Sequence, residues 1–307
     1  MTTEISRREF LAQLGFTALA LPVLAGFQNG SKKVLPIPGL KLGYSAITWG
    51  GNDVQAIKDI SSLGFKGVQL RANTFKDFGD KPAELRAMLT QHKLELPMFS
   101  SGNANINTGK DEEIIQMHVN HAKFVKALGG EFIQVTNSSR PKSGTPTTSD
   151  LQTYGKLLNE IGQRTKAIGV QTTYHNHMHQ LGETPEEVDT ILASCSADNV
   201  KLLLDVAHYH QGGGNPVNAI RKYSKRIVAL HLKDVRPKTG DTNPRAYTFV
   251  ELGQGKVDLP NIFLALADIK FQGWGIVELD SVPDKSKTPL ECGEITRTYL
   301  NSIGLKV

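Results

Sequence analysis

From Leu42 onward the chain alternates short apolar runs with longer segments whose apolar residues recur at helical spacing. The short runs are LGYSAI (42–47), GVQL (67–70), LELPMF (94–99), EFIQVTN (131–137), VQTTYHNH (170–177), VKLLLDVAH (200–208), RIVALHLKD (226–234) and WGIVELD (274–280), eight expected strands. Between and after them lie helical patterns such as DVQAIKDISSLG, EEIIQMHVNHAKFVKALG, DLQTYGKLLNEIGQRTKAIG and LECGEITRTYLNSIG. Several begin with Asp, Thr or Pro and end with Gly, the residue types that cap a helix at its two ends. Eight strand–helix units predict an α/β fold, a closed (β/α)8 TIM barrel in a single domain over 41–307. No glycine-rich phosphate loop follows the first strand, which argues against a dinucleotide-binding sheet. The sequence shows no repeat beyond the alternation itself.

The segment ahead of the barrel has a different pattern. SRREFLAQLGFTALALPVLAG sets Arg7 and Arg8 before an apolar run that ends within about 17 residues, short of the roughly 20 that a spanning helix needs. It resembles a twin-arginine export signal over 1–30, followed by a linker over 31–40. That implies the twin-arginine export machinery as a partner and a periplasmic location, with the protein membrane-anchored if the signal is not removed. VLAG near Ala25 is the best cleavage candidate.

Composition changes this picture little. An apolar content of 39% with 21% charged residues is ordinary for a chain that can bury a full core. The formal charge of +5 hints at nucleic acid, but part of the excess sits near the termini and no basic stripe interleaved with aromatics appears, so no nucleic-acid partner is expected. Cys195 and Cys292, without CxxC spacing, read as two structural thiols. A homo-oligomer is left open.

Chemistry in such a barrel sits at the C-terminal ends of the strands. The fifth expected strand delivers His175 and His177, the sixth Asp205 and His208, the seventh His231, Lys233 and Asp234, and the eighth Glu278. Period two along a strand puts His175 and His177 on one face and Tyr174 and Asn176 on the other. His175, Asp205, His231 and Glu278 together would offer two imidazoles and two carboxylates, a donor set suited to Mn²⁺, Zn²⁺, Co²⁺ or Fe²⁺. Each has a plainer use too: Asp205 can cap the next turn, Glu278 can pair with a lysine, and Lys233 can pair with Asp234. Their recurrence on consecutive strands at one rim favours the metal reading. His118 and His121 read as helix-surface rings, His179 and His210 as loop residues.

LGYSAITWGGND, YHNHMHQLGETPEEVDTIL, LLLDVAHYHQGG, HLKDVRP, ELGQGKVDLPNIFLALADIKFQGWGIVELD and KTPLECGEITRTYL together resemble the xylose-isomerase-like sugar phosphate isomerase and epimerase superfamily, and within it the inosose dehydratases. The resemblance covers essentially all of 40–305. It implies a TIM barrel with one divalent ion, commonly Mn²⁺ or Co²⁺, acting on small polyhydroxylated carbonyl compounds. Asp205, His231 and Glu278 fall on the ligand positions of the sixth, seventh and eighth strands, while His175-Asn176 stands where many members carry Glu-Asn. Epimerases of the superfamily use two metal-bound carboxylates on opposite faces of the substrate, and His175 removes one of them. A dehydratase needs one base to take the proton beside a ketone and an acid to help a β-hydroxyl leave. Glu278 is the expected base, with Lys233 or His208 as donor, and His177, Gln134 and Arg236 are expected substrate contacts. The second strand ends in Gln69 and Arg71 where an acidic residue is common in relatives.

Overall fold

The structure is a computed structural model that describes residues 36–243 and 246–307. The export signal expected over 1–30 and the first half of the expected linker, 31–35, lie outside the described residues. Eight parallel strands close into a barrel in the order β1 (Leu40–Ser45), β2 (Gly67–Arg71), β3 (Phe99–Asn103), β4 (Phe132–Thr136), β5 (Gln171–His175), β6 (Val200–Asp205), β7 (Ile227–Leu232) and β10 (Gly273–Val277), which pairs back onto β1. The expected TIM barrel is thus the observed fold.

Two strands are additional. β8 (Asp234–Pro237) and β9 (Tyr247–Val250) form an antiparallel hairpin directly after β7. Its base is fixed by Asp234, whose carboxylate accepts backbone N–H bonds from Val235, Gly253, Gly255 and Val257 at 2.9–3.0 Å. A Cβ at position 255 would come within 2.2 Å of that carboxylate, so the GQGK turn needs its glycine for close approach. Asp234 is therefore committed to the backbone and does not pair with Lys233.

Three local expectations are corrected. The third strand is Phe99–Asn103 rather than 94–99: Pro97 has no N–H to give a ladder, and the earlier segment makes only an isolated bridge at Glu95. The sixth strand stops at Asp205 because its Oδ1 accepts from the backbone of Ala207 and His208, opening the helix Val206–Gln211. His210 accordingly ends a helix instead of lying in a loop.

His118 and His121 are not surface rings. They sit on the inner face of the helix Asp111–Leu128, buried over β3, where the Ser101 hydroxyl lies 2.6 Å from one Nδ1 and 2.9 Å from the other. Burial pushes the His118 pKa down to about 3 and lowers that of His121, so both rings are neutral polar links between helix and strand. Cys195 and Cys292 are free and buried, as expected of structural thiols.

Candidate active site

The C-terminal ends of the strands enclose a cavity of about 310 Å³. Its wall follows the alternation of strand side chains in two layers. A buried floor is made by Ser45, Gln69, Gln134, His175, His231 and Glu278. Two residues further along the chain from each stand Ile47, Arg71, Thr136, His177, Lys233 and Asp280, at or just beyond the strand ends and all lining the cavity. β6 contributes Asp205 to the floor and nothing above it, because its helix begins at once.

Four floor residues converge. One donor atom from each of His175, Asp205, His231 and Glu278 lies within 4.8 Å of the others, and all four residues are buried. His231 Nδ1 is 3.1 Å from His175 Nε2, 3.1 Å from Glu278 Oε2 and 3.6 Å from Asp205 Oδ2, while His175 Nε2 is 3.5 Å from Asp205 Oδ2. Donors bound to one ion at about 2.0–2.2 Å stand roughly 3.0–3.6 Å apart, so these edges are those of a single coordination sphere. The Asp205 carboxylate divides its work. Oδ1 caps the helix, whereas Oδ2 is buried without a hydrogen-bond partner, an orphaned acceptor that an ion would satisfy. The residues present therefore fit a divalent ion.

Neighbouring groups hold the ligands in position. His231 Nε2 donates to Gln69 Oε1 at 2.8 Å, and Gln69 Nε2 donates to Gln134 Oε1 at 2.6 Å. This chain leaves the Nδ1 lone pair of neutral His231 facing the cluster, the arrangement that a ligating histidine needs. Asn176 exchanges two hydrogen bonds with the backbone of Asp205 and so locks the end of β6 to β5. The pKa shifts describe the ion-free cluster. Burial lowers His175 to about 4, which leaves a neutral ring. For His231 burial also acts downward, but the Glu278 and Asp205 carboxylates outweigh it and raise the group to about 9.

Lys233 is 1% exposed and tied to Asp280 Oδ1 at 2.7 Å, Glu278 Oε2 at 3.0 Å and Asp205 Oδ2 at 3.7 Å. The Phe249 ring of the hairpin lies 4.2 Å from its ammonium. Burial alone would lower its pKa; the surrounding carboxylates outweigh it and raise the group well above the usual lysine range. Lys233 is a fixed cation at the cavity wall.

The other expected contacts are placed as follows. His177 and Gln134 line the cavity. His208 does not: it is buried behind His177, ring centroids 3.8 Å apart, with Lys233 Nζ 3.5 Å from its Nε2. Arg236 is exposed on β8, away from the cavity lining. His179 sits in a turn with φ +63°. Asp280 lines the cavity without being among the expected site residues, although its spacing of two from Glu278 puts it on the same face. Gln69 stands out in the sequence only as a non-acidic residue, and its hydrogen bond to His231 has no sequence signal.

A barrel with a buried two-histidine, two-carboxylate cluster at its catalytic rim defines a class of metal-site TIM barrels. The sequence pattern described as the xylose isomerase-like TIM barrel matches residues 57–294, and the chain belongs to that family. It is 28% identical over 294 residues to an inosose dehydratase of Clostridium botulinum (strain Alaska E43 / Type E3), covering 85% of this chain and 96% of that protein. An inosose dehydratase of Lacticaseibacillus casei is 26% identical over 296 residues, covering 86% and 97%. Among solved structures, the IOLI protein with a bound zinc atom matches with TM-score 0.71 and 19% identity over 86% of this chain and 98% of that one, a likeness of fold.

Proposed function

We propose that this protein is a divalent-metal-dependent dehydratase of a polyhydroxylated ketone: an inosose, a keto-sugar or a 3-keto-glycoside. The observation that carries the reading is the asymmetry of the four-residue cluster, in which His175 takes the position of a second carboxylate and leaves Glu278 as the single acid facing both cluster and cavity. The names of the dehydratase relatives support it. His175, Asp205, His231 and Glu278 would hold the ion, with Mn²⁺ or Co²⁺ proposed and Zn²⁺ or Fe²⁺ compatible with the same donors. When bound, the ion supplies Lewis-acid polarisation of the substrate carbonyl.

The protein's own groups do the rest. Glu278 removes the proton on the carbon beside the ketone. Its Oε1 accepts from the Ser45 hydroxyl at 3.3 Å and its Oε2 faces Lys233, which fixes the carboxylate in the floor. Lys233, immobilised between Asp280 and Glu278, presents a positive charge toward the leaving β-hydroxyl. His177 and Gln134 orient substrate hydroxyls from the wall. His208 backs His177 and Lys233 and acts through them.

Incubation of metal-loaded protein with a panel of keto-inositols, 3-keto-glycosides and ketoses, followed by mass measurement of products, tests the reaction. Loss of one water is expected. An unchanged mass with exchange or inversion beside the carbonyl would replace dehydration by isomerisation or epimerisation. We also propose that residues 1–30 direct twin-arginine export, on the strength of SRREFL. Changing Arg7 and Arg8 to lysine should strand the protein in the cytoplasm, and undiminished periplasmic delivery would contradict this.

A further inference from the structure

Arg71 stands apart from every other charged group in the cavity. It ends β2, two residues beyond the buried Gln69, in the same upper layer as Thr136, His177, Lys233 and Asp280. Lys233 is matched by carboxylates at 2.7 and 3.0 Å, whereas Arg71 has no hydrogen-bond or ion-pair partner among the described residues. The acidic side chain that feels its charge, Asp53, is buried and already engaged by the Asn73 amide at 2.8 Å and by the Thr74 hydroxyl. The cavity lining also includes the neutral groups Asn73, Ser100 and Asn103.

The guanidinium fork is unused by the described residues, and Asp53 answers its charge without a hydrogen bond to it. The charge pattern says what would engage it. The carboxylates Asp205, Glu278 and Asp280 are matched by Lys233 together with a divalent ion in the cluster. Arg71 is left on the opposite wall as one positive charge whose fork is unused. A single guanidinium without a second free cation suits a monoanion better than a phosphate dianion, and its planar fork matches a carboxylate in two parallel hydrogen bonds.

We propose that Arg71 is a specificity-determining residue that binds a carboxylate on the substrate, at the end remote from the ketone, so that this protein acts on an acidic keto-polyol. This rests on the reading that the substrate sits in the metal cavity, and it narrows the substrate class to a small keto-acid that a cavity of about 310 Å³ admits.

The test is calorimetric titration of metal-loaded protein with D-fructose and with D-fructuronate, which differ only in oxidation of C6 to a carboxylate. The wild type should bind D-fructuronate about 10- to 100-fold tighter, the range of a charge-assisted bidentate pair. Arg71→Gln should bring the ratio near one while D-fructose affinity and the unfolding midpoint stay as they were, and Arg71→Lys should keep part of the preference. Equal affinities in the wild type, or a preference that survives Arg71→Gln because the carboxylate goes to the metal, overturns the role of Arg71 and leaves the metal-site reading standing. Binding of neither sugar to protein that holds its metal defeats the substrate reading itself, and this proposal with it.

Discussion

From β5 round to β10 the cavity floor carries His175, Asp205, His231 and Glu278; from β1 to β4 it carries Ser45, Gln69 and Gln134. Both halves are built on the same alternation and the same closed ladder, so the difference lies in charge alone. The ionisable half is self-consistent: each buried carboxylate faces an imidazole or the Lys233 ammonium, as burial of charge demands. The neutral half satisfies itself by amide and hydroxyl hydrogen bonds and exposes one free charge, Arg71. Under the proposed function, the reacting groups would lie in the first half, while substrate contacts would come from both, His177 in the first and Gln134 and Arg71 in the second. Two hydrogen-bonded connections join the halves, the Gln134–Gln69–His231 chain and the Ser45–Glu278 bond.

The comparison is broken most severely at Glu278. Glu278→Gln keeps an oxygen donor but removes the base, so turnover should fall by about 10² or more at saturating metal, with substrate affinity changed far less. Proton exchange from the carbon beside the carbonyl, followed in D₂O, reports it. An exchange rate equal to wild type would move the base to His177 or Asp280.

Cutting the amide connection comes next. Gln69→Leu removes the acceptor that fixes the His231 tautomer, and metal affinity should drop by about 10- to 100-fold while the barrel stays folded. Calorimetric metal titration measures it; unchanged affinity would show that the Gln69 bond to His231 does not support the metal site.

The pH dependence of loading sharpens the electrostatic side. In the ion-free protein His231 is raised to about 9, so at neutral pH a proton occupies the nitrogen that the metal needs. Metal affinity should rise roughly tenfold per pH unit up to about 9 and level above it, with one proton released per ion below that pH. The sign for stability agrees. A raised histidine stabilises the ion-free fold below its unfolded pKa, and that contribution is lost as pH rises through about 9, so the stabilisation gained from metal grows over the same window. Affinity independent of pH between 6 and 9 would contradict the assignment of His231 as a ligand. The smallest effect is expected in the neutral half, where Thr136→Ala should raise KM a few-fold and leave kcat unchanged.

The two halves were also unequally legible in the sequence. The barrel followed from the βα alternation, and the four converging residues followed from ionisable types at successive strand ends, because charge at a catalytic rim is a pattern that sequence displays. Asp280 was within reach by the period-two rule from Glu278. Gln69 and Gln134 were not, since an amide gains its role only from the ring or amide opposite it in space. The β8–β9 hairpin was hidden by the Pro, Gly and Asn between its arms, which read as loop. His118 and His121 were misplaced because their helical spacing does not reveal Ser101 beneath them, and the third strand because SSGN is too polar to announce itself.

The central claim is that one divalent ion joins the four residues of the ionisable half, and elemental analysis of metal-loaded protein tests it most directly. About one ion per chain is predicted for the wild type and for His179→Ala, and well below one for Asp205→Ala and His231→Ala in folded protein, because neighbouring strands cannot replace the lost donor. A wild type that takes up no metal, or an Asp205→Ala variant that keeps its full complement, would contradict it.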